Sequence, residues 1–261
     1  MSERAALYGV SDQIGTITLN RPDQRNAMTP ELLDAFSEAI REAQDDPEIR
    51  CLVITGKGRC FSAGADLRSS LQRSDLGEPS RDTSFAMYEP FLQVLDVGVP
   101  VIAALNGHAV GGGFGLSLLA DIRIANVDAK YGANFARLGI HSGLGISYLL
   151  PRLIGVAHAS ELLFTGKLIR GSEALHIGLV THAEEAGEVL PTAMQLARAI
   201  TASAPTAVQQ MKASIRRGLR WEIREAALEE AGLQAASLGS EDAKEGVSAI
   251  LQKREPEFTG R

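Results

Sequence analysis

The segment Asn106-Gly107-His108-Ala109-Val110-Gly111-Gly112-Gly113-Phe114-Gly115-Leu116 holds residue types and spacing that could do chemistry. It joins an apolar run, Val99–Leu105, to a second one, Leu116–Ala120. That order reads as a buried strand, a glycine turn and a helix start. The first N–H groups of a helix have no intrahelical acceptor, and glycines let a ligand approach the backbone closely. Such a turn suits growing negative charge. The same residues also suit a tight turn with no ligand, and the segment alone leaves both readings open. It is neither a Rossmann nor a P-loop signature, because the spacing differs and no Gly-Lys-Ser/Thr follows.

The elements that must position this turn alternate along the chain. Leu7–Val10 and Ile14–Leu19 flank Ser11-Asp12-Gln13 as a hairpin. After a polar loop, Thr29 caps a helix with Pro30 at its first position, and Leu33, Phe36 and Ile40 share one face. Cys51–Thr55 reads as a parallel strand covered on both sides. Ser69–Thr83 is polar and without period, which predicts a loop that shapes a pocket. Phe85, Tyr88, Leu92 and Leu95 have helical spacing, with Pro90 expected to kink or divide that helix. Asp121–Ala125 is a short strand, and Leu179-Val180 is expected to be the last one. Helices dominate from Ile146 onward, at about 146–154, 157–164, 171–177, 187–202, 206–217, 221–238 and 241–253. No solenoid-type repeat is visible.

Composition narrows the partners. The 261 residues carry a net charge of -6, which argues against nucleic acid as the main partner. Two cysteines, Cys51 and Cys60, cannot form a disulfide framework and suit a reducing cytosol, so a cytoplasmic chain is expected. Met1–Arg4 leads into no apolar signal region. Val97–Ala120 is uncharged, but Pro100, Asn106, His108 and the glycines spoil it as a membrane helix. His158, His176 and His182 lack metal-site spacing, so no metal is expected.

Four segments resemble the crotonase (enoyl-CoA hydratase/isomerase) superfamily. They are Asn20–Ala27, Phe61-Ser62-Ala63-Gly64-Ala65-Asp66-Leu67, Asn106–Gly113 with Asp121-Ile122-Arg123, and Glu241–Gly246. They follow the family's order and spacing over nearly the whole chain. The resemblance implies an α/β fold, a crotonase-like spiral of repeated ββα units over 1–200, with a helical C-terminal trimerisation region over 201–261. It implies a homotrimer or dimer of trimers and an acyl-CoA thioester as substrate, with coenzyme A as part of that substrate rather than a separate cofactor. It places the two oxyanion-binding amides at Ala63 and Gly112. Fixed donors of this kind stabilise an enolate or tetrahedral oxyanion without reorganisation, each worth about 10²–10³ in rate. The coenzyme A site falls on Arg25, Ala27, Ala65, Asp66 and Leu67, with Lys253 reaching the phosphates from a neighbouring subunit.

The chain departs from the family's hydratases where their two glutamates fall. Those positions are Gly115 and Phe135, and Gly143 stands where isomerases often place a carboxylate. Groups that transfer protons are typically worth about 10²–10⁴ each, so weak or absent crotonyl-CoA hydration is expected. His141 is the replacement with most in its favour, since imidazole titrates near neutral pH in a loop that carries catalytic groups in relatives. It could equally satisfy loop carbonyls. Ser142 could orient water or cap a helix, Asn134 could donate to an acyl group, and Tyr88 and Glu89 lie where some relatives place catalytic residues. His108 and Asp121 read as structural. Three functions remain: an acyl-CoA enzyme working through a stabilised oxyanion, an acyl-CoA-binding protein without catalysis, or an oligomeric structural subunit with no acyl-CoA affinity.

Overall fold

A computed structural model describes residues 3–65 and 80–261. The hairpin forms from β1 (Ala6–Ser11) and β2 (Ile14–Leu19), and α1 (Pro30–Asp45) follows with the Thr29 hydroxyl accepting from the Leu32 amide. Three successive units of strand, strand and helix come next. The first is β3 (Cys51–Gly56), β4 (Cys60–Ser62) and α2 (Arg81–Leu92). The second is β5 (Val101–Leu105), β6 (His108–Val110) and α3 (Gly112–Leu119). The third is β7 (Ile122–Asn126), β8 (Lys130–Gly132) and α4 (Ile146–Thr165). The repeat is one of topology, with no matching repeat in the residues.

Each unit places its first strand in one sheet and its second in another. The larger sheet has the order β1-β2-β3-β5-β7-β10, where β10 is His182–Glu184. The smaller has the order β4-β6-β8-β9, where β9 is Ile169–Arg170. Apart from β1 with β2 and β8 with β9, all pairs are parallel. Period-2 alternation divides the apolar strands between two cores. Leu52, Ile54, Ala103 and Leu105 face the main core, while Cys51, Val53, Ile102 and Ala104 face Val189, Ala193 and Ala197 of α6 (Val189–Thr201). Burial on both faces explains the unbroken apolar runs. It also pushes the Cys51 thiol up to about 12, which makes it a core residue rather than a nucleophile.

Some expectations shift. The helix after the long polar stretch begins at Arg81, because Ser80 and Thr83 form a reciprocal cap; the polar stretch up to residue 79 lies outside the described residues. Pro90 sits near the end of α2, which passes into a short 3-10 turn, Gln93–Asp96, so it terminates rather than divides. Leu179 and Val180 are buried but not strand; pairing falls on His182–Glu184 instead. The two helices expected across 146–164 do form: α4 consists of two helical segments, with Gly155 at φ 78°, ψ 158° breaking the helical geometry between them.

The C-terminal region is helical: α5 (Gly171–His176), α6, α7 (Pro205–Ile215), α8 (Leu219–Leu238) and α9 (Glu241–Gln252). Helix α8 packs along α2 and α4, which brings it behind the loop 139–145 that precedes α4. Among the described residues no helix is long and apolar enough to cross a membrane.

Candidate active site

The glycine turn is a helix start. Strand β6 ends at Val110, Gly111 turns the chain at φ 56°, ψ −124°, and the Gly115 amide closes the first turn of α3 on the Gly111 carbonyl at 3.0 Å. The Gly112 amide, first in the helix, meets no acceptor among the described residues. It is a fixed donor at the positive end of a buried helix.

The second loop is laced to the first polar segment. Asn26, fully buried in a left-handed conformation, accepts from the Arg21 amide at 2.8 Å and donates to the Lys57 and Cys60 carbonyls at 3.1 and 2.9 Å. Ser62 Oγ donates to the Asn26 carbonyl at 2.8 Å, and the Met28 amide donates to the Gly64 carbonyl at 2.9 Å. Within this lacing the Ala63 amide donates to the Arg25 carbonyl at 3.0 Å. Its N–H is therefore spent on holding two loops together, which corrects its expected place as an oxyanion donor. The amide two residues on, at Ala65, has no acceptor among the described residues, and Ala65 is exposed. Gly64, at φ +77°, lets this happen. A Cβ there would lie 2.6 Å from the Val110 carbonyl oxygen and 3.2 Å from the Gly112 nitrogen, so the Gly64–Ala65 peptide runs beside the helix start.

Side chains wall this corner. The Cβ position on Gly112 lies 2.2 Å from Met28 Sδ and 3.8 Å from Tyr88 Cε1. That on Gly111 lies 3.7 Å from Phe135 Cζ and 3.9 Å from Asn134 Oδ1. No carboxylate stands at Gly115, Phe135 or Gly143, and the space is taken. A Cβ on Gly115 would meet Leu144 Cδ2 at 2.8 Å, and one on Gly143 would meet Tyr88 Cε2 at 2.4 Å.

His141 sits half-buried in the loop held by α8. Its amide donates to Ser237 Oγ at 2.9 Å, and its carbonyl accepts from Gln234 Nε2 at 3.0 Å. Its Nδ1 lies 2.8 Å from the Ser142 carbonyl, so Nδ1 carries the proton in the neutral ring and Nε2 keeps its lone pair. Ser142 is buried, but the helix that follows is capped by Gly145 without a side-chain bond, so Ser142 is no cap. Glu230 accepts from the Gly145 amide at 2.7 Å and from the Ser147 amide and hydroxyl. Burial pushes its carboxyl up, against the bonds from Ser147 and Gly145. Glu230, Gln234 and Ser237 share one face of α8 at helical spacing. Read in sequence they pass for a polar surface, and only the loop packed over them makes them part of the site.

The remaining candidates scatter. Arg25 is exposed, Ala27 is buried with its amide on the Gln24 carbonyl, and Lys253 is exposed at the left-handed C-cap of α9. Asp66 and Leu67 lie outside the described residues. Glu89 is exposed. His108 accepts the Lys130 amide on Nδ1 at 2.9 Å, between neighbouring strands of the smaller sheet. Asp121 is paired with Lys212 and Arg216.

A family model described as enoyl-CoA hydratase/isomerase matches residues 9–261. The chain belongs to that family. YngF of Bacillus subtilis, named for an enoyl-CoA hydratase/isomerase, is 37% identical over 252 residues, covering 96% of each chain. The short-chain-enoyl-CoA hydratase of Clostridium acetobutylicum is 34% identical over 94% of each chain. Among solved structures, EchA1_1 from Mycobacterium paratuberculosis superposes over both whole chains with a TM-score of 0.88 at 34% identity. The chain is accordingly an α/β protein of the crotonase fold and an enzyme of the enoyl-CoA hydratase/isomerase family. The three ββα units and the helical C-terminal region are this chain's version of that fold.

Proposed function

We propose that the chain acts on an acyl-CoA thioester by stabilising negative charge on the thioester oxygen, with the Gly112 and Ala65 amides as the donor pair. The observation that carries this is the unused Gly112 amide at a buried helix start, with the Gly64–Ala65 peptide alongside. Two such donors lower the energy of an enolate or tetrahedral oxyanion, because they are already aimed when the charge forms. Coenzyme A enters as part of the substrate, over the segment from Arg25 and Ala27 to Ala65, Asp66 and Leu67, with Lys253 of a neighbouring subunit near its phosphates. The exposed apolar side chains Met211, Ile215 and Trp221 support a trimer or dimer of trimers.

Direct hydration of crotonyl-CoA is weak or absent in this reading. Water addition needs one group to activate water and one to protonate the α-carbon, and Gly115, Phe135 and Gly143 supply neither. His141 is the general base, since its Nδ1 contact leaves Nε2 free to take a proton. Isomerisation, decarboxylation, C–C cleavage and thioester hydrolysis all run through the same stabilised oxyanion.

The test incubates the purified protein with a panel of enoyl-, 3-oxoacyl- and saturated acyl-CoAs and follows products by mass spectrometry. Turnover of at least one thioester, lost in His141→Ala with coenzyme A affinity kept, is expected. Rapid loss of the ultraviolet absorbance of crotonyl-CoA would sink the weak-hydration reading. Tight binding without turnover by wild type and variant alike would favour a non-catalytic acyl-CoA-binding protein.

A further inference from the structure

Tyr88 is the largest side chain at the oxyanion corner whose role the proposed chemistry leaves open. It projects from α2, is almost wholly buried, and its ring spans from the Gly112 helix start to Gly143. Its Cε1 lies 3.8 Å from the Cβ position on Gly112, and its Cε2, Cζ and hydroxyl lie 2.4–2.6 Å from that on Gly143. The ring therefore occupies the volume between the proposed thioester donor and the loop that carries His141.

Its hydroxyl cannot serve as an acid there. Gln234 Nε2 donates to the His141 carbonyl at 3.0 Å, which turns Oε1 of the same amide toward Tyr88 at 2.8 Å. An amide oxygen only accepts, so the phenol must donate to it, and its one proton is engaged. Burial also raises the phenol's affinity for that proton. The ring is thus held at its Cε1 edge beside Gly112, and at its hydroxyl end by Gly143 and the chain Tyr88–Gln234–His141. A ring so restrained makes a rigid wall.

We propose that Tyr88 is the specificity-determining wall of the acyl pocket, ending it beside the thioester so that the site takes short acyl groups and rejects long ones. This rests on the acyl-CoA reading above. Glycine at 143 is part of the same device, because any side chain there would collide with the ring. Removing the ring opens a space lined by Gly112, Gly143 and Gln234, next to the proposed donor at Gly112.

The test measures binding of butyryl-, hexanoyl- and octanoyl-CoA by calorimetry to the full-length wild type, Tyr88→Phe, Tyr88→Leu and Tyr88→Ala. Wild type and Tyr88→Phe should both favour butyryl-CoA, because the ring stays. Tyr88→Leu and Tyr88→Ala should gain affinity for the longer chains by about fourfold for each methylene that finds cover, so that the preference for butyryl-CoA over octanoyl-CoA narrows or inverts. Tyr88→Leu keeps an apolar filler, so the comparison survives if Tyr88→Ala unfolds. A wild type that binds octanoyl-CoA as tightly as butyryl-CoA would overturn the proposal, as would an unchanged preference in both truncations. Failure of every thioester to bind wild type would instead overturn the acyl-CoA reading on which this one rests.

Discussion

The Gly145 amide donates to Glu230 Oε2 at 2.7 Å, and the Ser147 amide donates to Oε1 of the same carboxylate at 2.7 Å. One buried side chain from α8 thus fixes the end of the His141 loop and the first turn of α4. Glu230→Ala would strand those amides and the Ser147 hydroxyl without an acceptor. Each buried donor left unsatisfied costs about 1–3 kcal/mol, so a loss of roughly 2–4 kcal/mol in urea denaturation is expected after some rescue by water. Glu230→Gln, which keeps one acceptor oxygen, should lose about half as much. A stability unchanged in Glu230→Ala would show that the carboxylate does not hold the loop.

Gly64 is under two constraints at once, a left-handed φ of +77° and a Cβ position 2.6 Å from a backbone oxygen. Side chains in that region cost about 1–2 kcal/mol even without a clash. Gly64→Ala must also push the Ala65 peptide away from the start of α3, because the Val110 carbonyl belongs to a strand and cannot swing aside. Turnover should fall at least tenfold, while the thermal midpoint drops by a few degrees. If turnover keeps its wild-type value in a folded Gly64→Ala protein, the Ala65 amide is not a donor to the substrate.

The fold was largely legible where burial dominates. Cys51–Gly56 and Val101–Leu105 have unbroken apolar runs because both faces are covered, and Thr29 with Pro30 marks a helix start by local chemistry alone. The smaller sheet was not legible, since β4, β6 and β8 are three-residue strands whose only support is pairing with distant partners. The site divides in the same way. Gly112 follows from a local pattern of strand, glycine and helix. The choice between Ala63 and Ala65 depends on which carbonyl lies within reach, and that carbonyl, on Arg25, is aimed by the buried Asn26 from another loop.

Restoring one glutamate should not restore hydration. A Cβ at position 115 meets Leu144 Cδ2 at 2.8 Å and Ile146 Cδ1 at 3.1 Å, the first fully buried in the loop before α4 and the second at the fully buried first residue of that helix. Gly115→Glu therefore adds bulk and a buried charge to a filled space. Overpacking alone costs about 1–3 kcal/mol, and an unpaired carboxylate adds to that. Lower stability with no gain in crotonyl-CoA hydration is expected, and Leu144→Ala in the same chain should recover part of the stability. A Gly115→Glu protein that is as stable as wild type and hydrates crotonyl-CoA would refute the claim that packing, and not one missing residue, sets the reaction.

Asp121 ties the start of β5 to α7, away from the chemistry. It accepts the Val101 amide at 2.8 Å and pairs with Lys212 at 3.0 Å and Arg216 at 2.8 Å. Burial pushes its carboxyl up, but the two cations and the amide outweigh burial and hold it below the ordinary aspartate value of 3.8. A depressed acid contributes stability that is complete above its unfolded value and is lost as pH falls through its folded value. Asp121→Asn leaves Lys212 and Arg216 without their counter-ion and should cost roughly 2–3 kcal/mol at neutral pH. The gap between wild type and variant, measured by urea denaturation, should stay constant from neutral pH down to about 5 and close below about 4 as Asp121 takes up its proton. A gap that persists unchanged into the acid-unfolding range would mean that the pairing of Asp121 contributes nothing through its charge.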